Sequence, residues 1–199
     1  MAYQLTSLGI SVLALLKARS MHGYEMLQTL VERHADRIVK DRPGSLYHVV
    51  DRLTDEKLIR RAATDREGKR PERVIYEITD AGAEALAERV RELIATPVHE
   101  FPQFVVALAE IETLGKDAAA NAVDERVGAL EARAAEITAL RGAGVVRTAY
   151  LVALDYLLAA MQNELSWLRD FADSLRSGQL GWRQAAVDSK VGNRDEVGR

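Results

Sequence analysis

The chain has 199 residues, 48% of them hydrophobic, no cysteine and a formal net charge of −3. This length and composition suffice for one sizeable core or two small ones. The lack of cysteine excludes disulfides and thiolate chemistry and is typical of cytoplasmic proteins. The N-terminus lacks a signal-peptide pattern, and the most apolar window, 145–161, contains Arg147 and Asp155. We therefore expect a cytoplasmic protein without a membrane segment.

The charge is distributed unevenly along the chain. Residues 1–78 contain fourteen Lys and Arg against eleven Asp and Glu, whereas residues 79–199 contain thirteen against nineteen. The first part is thus mildly basic and the second acidic. A basic N-terminal half suits contact with nucleic acid, although a difference of this size also arises by chance.

The first 36 residues predict two helices. A stripe of leucines and Val12 at helical spacing favours a helix over 5–17. A break at 18–22 comes next, and a second helix is predicted over 23–36. Gly23, at its start, permits a close approach or a positive φ between the two helices. Tyr24 is expected to lie in the core.

A third helix is predicted over 43–56, where Pro43 suits the first turn. Its apolar residues share one face, which consists of Leu46, Val49, Val50 and Leu53. The side chains off that face are polar and capable of hydrogen bonding: Ser45, Tyr47, His48 and Arg52. Such a helix could enter a DNA major groove. An ordinary amphipathic helix with a solvated face would show the same pattern.

The segment after the third helix favours the DNA-binding interpretation. Two strands are predicted over 58–64 and 74–79, separated by a polar turn over 65–73. The order helix, strand, basic turn, strand is that of a winged helix-turn-helix. Lys69, Arg70 and Arg73 lie at the tip of this wing, where cations could reach phosphates or a minor groove.

Four motifs in this half resemble those of PadR-family transcriptional regulators: HGYEM (22–26), PGSLY (43–47), KLI (57–59) and KRPERVIYEITDAG (69–82). They occur in the order and at the spacing of that family. Three positions depart from its usual pattern: Arg42 replaces a serine before Pro43, and Lys57 and Lys69 replace glycines. Arg42 places a positive charge beside the start of the third helix, where a phosphate contact is plausible.

The rest of the chain is predicted to be almost wholly helical. A helix over 81–95 links the winged part to the second half, and another carries Phe101 to Ile111. Lys116 to Arg141 shows a coiled-coil seam, and 145–176 a longer one broken only by Glu164. Leu151, Leu158 and Leu165 form a second stripe beside it, which we expect to need a second copy of the chain as partner. PadR proteins pair two subunits through C-terminal helices of this kind.

No catalytic constellation is evident, so we do not expect an enzyme. The chain has neither a phosphate-binding loop nor a dinucleotide-binding glycine motif, and its four histidines lack metal-ligand spacing. We therefore expect no metal and no cofactor. The resemblance implies a regulator, usually a repressor, released by a small molecule such as a phenolic acid or a flat aromatic drug. The residues that could line such an effector pocket at the dimer interface are Phe101, Phe104, Tyr150, Met161 and Trp167. A packed core without a cavity is an equally good interpretation.

The predicted fold is mainly α. It comprises a winged helix-turn-helix domain with a two-stranded wing (1–96), an antiparallel helical dimerisation domain (97–177) and a disordered tail (178–199). The predicted function is a homodimeric, sequence-specific regulator of transcription that binds an inverted repeat in double-stranded DNA. Two alternatives remain open at this stage: a MarR-type regulator, and a winged helix that docks on a protein with the coiled coil as scaffold.

Overall fold

The computed structural model of the chain describes residues 3–33, 35, 45–65, 73–98, 100–142 and 148–179; of 63–65, 73 and 148 it describes only the backbone. Contacts between Cα atoms divide the chain into two compact units, Met1–His99 and Glu100–Arg199. The chain is mainly helical, as predicted, and the described strands form one small sheet. Most of the predicted tail, including Trp182, lies outside the described residues. No described helix has the length and apolar character that crossing a membrane requires.

The first helix, α1 (Ser7–Ala18), supplies more of the first unit's buried core than any other element. Its N-cap is Thr6, whose Oγ1 accepts a hydrogen bond from the Gly9 N–H at 3.1 Å. The apolar stripe predicted from the sequence faces inward, so that Leu8, Val12, Leu13, Leu15 and Leu16 are buried. These side chains form one cluster with residues from the next two helices and the sheet.

The second helix, α2 (Gly23–Glu32), begins at the predicted residue. Its N-cap is His22, whose Nδ1 accepts a hydrogen bond from the Glu25 N–H at 3.0 Å. Only Met26 of this helix is fully buried. The helix ends at Glu32, earlier than predicted, and the Arg33 N–H makes its last helical hydrogen bond, to the Thr29 carbonyl at 3.1 Å.

The third helix, α3 (Ser45–Asp55), buries Leu46, Val50 and Leu53 in the same core. It ends in a Schellman motif, in which the Leu58 N–H donates to the Leu53 carbonyl and the Lys57 N–H to the Thr54 carbonyl, both at 2.9 Å. Lys57 has a φ of 59°, the left-handed conformation that favours glycine at this position. Lys57 therefore forms the turn for which the motif usually has a glycine, and its backbone is strained there.

The sheet has three strands rather than the predicted two. β2 (Ile59–Asp65) and β3 (Arg73–Ile78) form the antiparallel wing, with Ile59 opposite Ile78 and an irregularity between Arg61 and Ala63. The additional strand, β1 (Met21–His22), pairs with the other edge of β3. Two residues are too few to show a strand periodicity, which is why the sequence indicated only a break there.

The fourth helix, α4 (Asp80–Ala95), starts where the chain leaves the wing and touches the end of α3. The Thr79 hydroxyl accepts from the Gly82 N–H at 3.0 Å and lies 2.8 Å from the Lys57 carbonyl and 3.0 Å from the Leu58 carbonyl. The Thr79 N–H also donates to the Leu58 carbonyl at 3.1 Å. A Cβ at Gly82 would lie only 2.0 Å from that same carbonyl oxygen. The spacing of Thr79 and Gly82 thus fixes the exit of the wing.

The second unit is helical throughout its described residues. α5 (Gln103–Ala109) is shorter than the predicted helix and is followed by a single 3₁₀ turn, Ile111–Thr113. α6 (Lys116–Gly142) and α7 (Thr148–Ser177) are long, as predicted. The two helices form an antiparallel hairpin. Asp124 near the start of α6 pairs with Arg176 at the end of α7, and Arg141 at the end of α6 pairs with Asp155 near the start of α7.

Both predicted seams lie in the interface of this hairpin. Its core consists of two clusters, one around Val123, Leu168 and Leu175 and the other around Ile137, Leu154 and Met161. Glu164, which breaks the seam of α7, pairs with Arg126 of α6, with 2.7 Å between Oε1 and Nε. The Arg126 guanidinium in turn lies over the ring of Phe104, 3.5 Å from its centroid.

The second stripe of α7 does not need another copy of the chain. Leu158 and Leu165 are only 8% and 6% exposed within the single chain, so the prediction that this stripe awaits a partner is wrong. A different face of α7 is open and partly apolar, with Val152, Tyr156 and Trp167 exposed. Helical periodicity indicates which side chains share a face and leaves open which element covers that face.

Candidate nucleic-acid interface

The polar face predicted for the third helix is the exposed face of α3. Tyr47 is 53% exposed and His48 and Arg52 are also exposed, while Ser45 is partly buried at the first helical residue. The buried side of the helix carries Leu46, Val50 and Leu53. The first turn of α3 therefore presents polar side chains to solvent, as a recognition helix requires.

Gly23 brings the start of α2 into contact with α3. A Cβ at Gly23 would lie 3.1 Å from Cε1 of Tyr47, closer than side chains usually approach. The ring of Tyr47 therefore lies against the backbone at the start of α2. Gly23 does not have the positive φ that was considered for it, and its close approach is to α3 rather than between α1 and α2 as predicted.

Tyr24 stands beside this contact and is exposed. It is 55% exposed, so the expectation that it lies in the core is wrong. Its hydroxyl accepts a hydrogen bond from the Gln28 side chain at 3.2 Å, one turn along α2. Tyr24 and Tyr47 thus each expose an aromatic ring near the start of their helices.

Arg52 is exposed, but its guanidinium is paired within the chain. Its guanidinium lies 3.0 Å from a carboxylate oxygen of Glu56 and 5.2 Å from the centroid of the Tyr3 ring. Burial raises the pKa of Tyr3, an effect that the charge of Arg52 partly offsets and that of Glu56 adds to. Arg52 therefore ties the end of α3 to the segment preceding α1.

Most of the cations predicted to contact phosphates or the minor groove lie outside the described residues. These are Arg42, Lys69 and Arg70; of Arg73 only the backbone, at the start of β3, is described. The described part of the wing adds two cations that the sequence reasoning left out. Arg60 is paired with Glu77 across the strands, whereas Arg61 is exposed and has no acidic partner among the described residues. The sequence Ile59-Arg60-Arg61 at the start of β2 could have indicated these two cations.

The five aromatic and thioether residues predicted to bind an effector do not meet in one place within the chain. Phe104 belongs to one cluster of the hairpin, and Tyr150 and Met161 belong to the other. Phe101 is 84% exposed and Trp167 is 47% exposed, the latter stacked on Phe171 with 5.1 Å between ring centroids.

Histidines and carboxylates do not assemble a metal site in the described part of the chain, where no group of three suitable ligands occurs. His22 caps a helix and His48 lies exposed on α3. His34 and His99 lie outside the described residues.

Residues 12–88 match the family described as the transcriptional regulator PadR-like family. The match covers 77 of the 199 residues, all of them in the first unit. The match begins within α1 and ends within α4, so it contains α2, α3 and the whole wing. No curated protein sequence is significantly similar to the chain.

Solved PadR structures share the fold over most of this chain. Bacillus subtilis PadR in complex with operator DNA is 19% identical, with a TM-score of 0.70 over 85% of this chain and 99% of that chain. The same protein in complex with p-coumaric acid is 16% identical, with a TM-score of 0.71 over 85% and 98%. The virulence activator AphA of Vibrio cholerae is 18% identical, with a TM-score of 0.66 over 86% and 99%.

Proposed function

We propose that this PadR-like protein is a homodimeric, sequence-specific repressor that binds an inverted repeat in double-stranded DNA and is released by a small aromatic or planar effector. The observation that carries the proposal is the exposed polar first turn of α3 within a winged fold of the PadR family. Bacillus subtilis PadR, which shares the fold, has been solved in complex with operator DNA, and this supports DNA as the partner.

We assign base contacts and DNA-backbone contacts to different residues of the first unit. Ser45, Tyr47 and His48, in the first turn of α3, read base edges or adjacent phosphates in the major groove. Arg42, Lys69, Arg70, Arg73 and Arg61 supply charge to the DNA backbone or minor groove. Arg52 would have to leave Glu56 to reach DNA, so its contribution to affinity is the smallest of the set.

A homodimer is supported by the open face of α7 and by the geometry of operators. Val152, Tyr156 and Trp167 are exposed on this face, an arrangement typical of an interface. Two copies related by a two-fold axis would present two recognition helices about 34 Å apart, one turn of DNA. This spacing is what makes an inverted repeat the expected operator.

The effector part of the proposal draws on the p-coumaric acid complex of Bacillus subtilis PadR. In a dimer, the exposed rings of Phe101 and Trp167 would meet surfaces of the second chain, and Phe104, Tyr150 and Met161 would line the hairpin cores beside them. Flat rings and a thioether suit a planar ligand. AphA, which shares the fold, is a virulence activator, so activation is the second candidate for the direction of regulation.

The test is fluorescence anisotropy of the full chain on DNA from its own upstream region and on shuffled DNA, across a salt series. We expect one dimer to bind the upstream DNA tightly and the shuffled DNA weakly. Arg70→Ala should weaken binding to both DNAs and lower the salt slope by about 1, whereas His48→Ala should reduce discrimination between them. Arg141→Ala, which removes the same charge from the hairpin, is the matched control.

Equal, weak binding to both DNAs would refute the proposal of an operator in this region, and salt-independent binding would refute the role of the wing cations. A protein partner would then be the better interpretation of the winged unit. A reporter gene behind the upstream DNA distinguishes repression from activation, because loss of the protein raises expression in the first case and lowers it in the second.

A further inference from the structure

Three side chains meet at the end of α3: Tyr3, Arg52 and Glu56. The Arg52 guanidinium lies 3.0 Å from a carboxylate oxygen of Glu56 and 5.2 Å from the centroid of the Tyr3 ring. Burial raises the pKa of Tyr3, the charge of Arg52 lowers it and that of Glu56 raises it, as expected for three groups in one place. Arg52 is therefore held by a carboxylate and by an aromatic ring at the same time.

Tyr3 is anchored in the first unit. Its ring packs against the core cluster of that unit, and its hydroxyl lies 3.8 Å from the position that a Cβ on Gly9 would occupy. Leu5, two residues later, is buried, and Thr6 caps α1. The segment before α1 is therefore packed on the core, and this packing places the Tyr3 ring beside the end of α3.

Stability of the helix does not account for the pair between Arg52 and Glu56. A carboxylate stabilises a helix when it precedes its cation by four residues and lies near the N-terminus. Here Glu56 follows Arg52 and comes directly after Asp55, the last residue of α3. The Arg52 side chain is also 58% exposed, and ion pairs in water contribute little to folding. Another anion could therefore replace Glu56 at low cost.

Arg52 lies on the same side of α3 as His48, which we assign to DNA. The two residues are four apart, so their side chains are neighbours on one helical face, and both are exposed. Four residues correspond to about 6 Å along the helix axis, so Arg52 lies one turn behind His48. In recognition helices the N-terminal residues contact base edges, and cations further along contact phosphates. A released Arg52 would therefore meet a phosphate.

In the observed arrangement, the charge of Arg52 is compensated by Glu56 and its guanidinium lies over the Tyr3 ring. We propose that Tyr3 and Glu56 are positioning residues that restrain Arg52, and that this restraint lowers the affinity for DNA of any sequence by withholding one phosphate contact. Phosphate contacts carry no base information, so the loss applies equally to operator and unrelated DNA. The restraint depends only on contacts within the chain, whereas its effect on DNA binding rests on the proposed function.

The restraint is tested without DNA, by NMR of the full chain with ¹³C- and ¹⁵N-labelled arginine. Protons above an aromatic ring resonate upfield, so the side-chain signals of Arg52 should lie upfield of those of Arg61, which is exposed. Tyr3→Leu, which keeps an apolar side chain but removes the ring, should abolish this difference, and Tyr3→Phe should keep it. Glu56→Gln should reduce it. Identical Arg52 signals in all four proteins would overturn the restraint.

The effect on DNA is tested by anisotropy with Glu56→Gln, which removes the charge of the carboxylate and keeps its size. This variant should bind upstream and shuffled DNA more tightly than the wild type by the same factor, with a salt slope that is steeper by about 0.9. A contact with this slope loses about 3.5-fold of its advantage when the salt concentration rises fourfold. Tyr3→Leu should change the affinity in the same direction.

Removing any negative charge from the first unit also strengthens DNA binding, so the experiment includes a matched control. Asp55→Asn removes the same charge one residue earlier, from a carboxylate that is exposed and has no ion-pair partner in the part of the chain that the structure describes. Adding Arg52→Gln to Glu56→Gln should cancel the gain in affinity. Adding it to Asp55→Asn should have a much smaller effect, because Arg52 is still restrained there.

The outcomes separate this proposal from the proposed function. Equal gains for Glu56→Gln and Asp55→Asn, or a gain that survives Arg52→Gln, would overturn the effect on DNA while the wild type still binds its operator. If the wild type binds no DNA, the proposed function fails and the effect on DNA fails with it, while the arginine signals still decide whether Arg52 is restrained.

Discussion

Replacing Gly82 with alanine should destabilise the first unit strongly. The new Cβ would lie 2.0 Å from the Leu58 carbonyl oxygen, 2.9 Å from its carbon and 3.0 Å from Cγ1 of Ile78. Backbone cannot move aside as the end of a flexible side chain can. The collision therefore has to be relieved by separating α4 from the end of α3.

The loss in the free energy of unfolding depends on the contacts that are broken when α4 separates from the end of α3. Thr79 joins the two segments by its N–H and hydroxyl, at 3.1 Å from the Leu58 carbonyl and 2.8 Å from the Lys57 carbonyl. Losing two such hydrogen bonds costs about 2 kcal/mol, and the remaining overpacking costs about 1–3 kcal/mol. Alanine returns at most about 1 kcal/mol through its helix propensity. We expect a net loss of about 3 kcal/mol in the free energy of unfolding.

The assay is urea and thermal unfolding of the full chain, followed by circular dichroism. Gly128→Ala is the matched control, because a Cβ at this position of α6 meets nothing within 4 Å. The control should gain up to about 1 kcal/mol. If Gly82→Ala were as stable as the control, the close approach of α4 to Leu58 would not exist in solution and the account of the wing exit would be wrong.

Three smaller perturbations test other parts of the structure. Lys57→Gly should stabilise the chain by about 1 kcal/mol in urea unfolding, since it relieves the φ of 59° at the end of α3; an unchanged midpoint would contradict the strain. The raised pKa of Tyr3 contributes stability that is complete below pH 10 and is lost as pH rises through the folded pKa, so Tyr3→Phe should flatten stability against pH above 10. Tyr156→Glu should dissociate the proposed dimer in analytical ultracentrifugation, whereas Ala132→Glu on the exposed side of α6 should not; two intact dimers would exclude this face of α7.

The sequence predicted the helices of the first unit well because each has an apolar stripe that one core covers. The stripe of α1 and the Leu46, Val50 and Leu53 face of α3 are buried as expected. The motifs were more informative about tertiary contacts than helical periodicity was. They contain Gly23 and Gly82, which make close contacts with residues far away in the sequence. The same glycines in a sequence without the motif would predict only flexible turns.

The errors share a physical origin. Tyr24 and the second stripe of α7 were misassigned because periodicity ranks faces of a helix by polarity but does not identify the neighbour that covers them. The contact of Arg52 with Tyr3 depends on the path of the segment before α1, which helical periodicity does not indicate. β1 is specified by its pairing with β3 rather than by its own two residues.

Four ion pairs between α6 and α7 set the alignment of the hairpin along its length. An apolar seam alone repeats every seven residues, so it would fit almost as well after a slide of about 10 Å. A slide of that size would separate all four of the observed pairs, Arg126–Glu164, Glu131–Arg169, Asp124–Arg176 and Arg141–Asp155. The ion pairs thus favour one register of α6 against α7. Substitutions on the open face of α7 would therefore leave the positions of its other side chains along the hairpin unchanged.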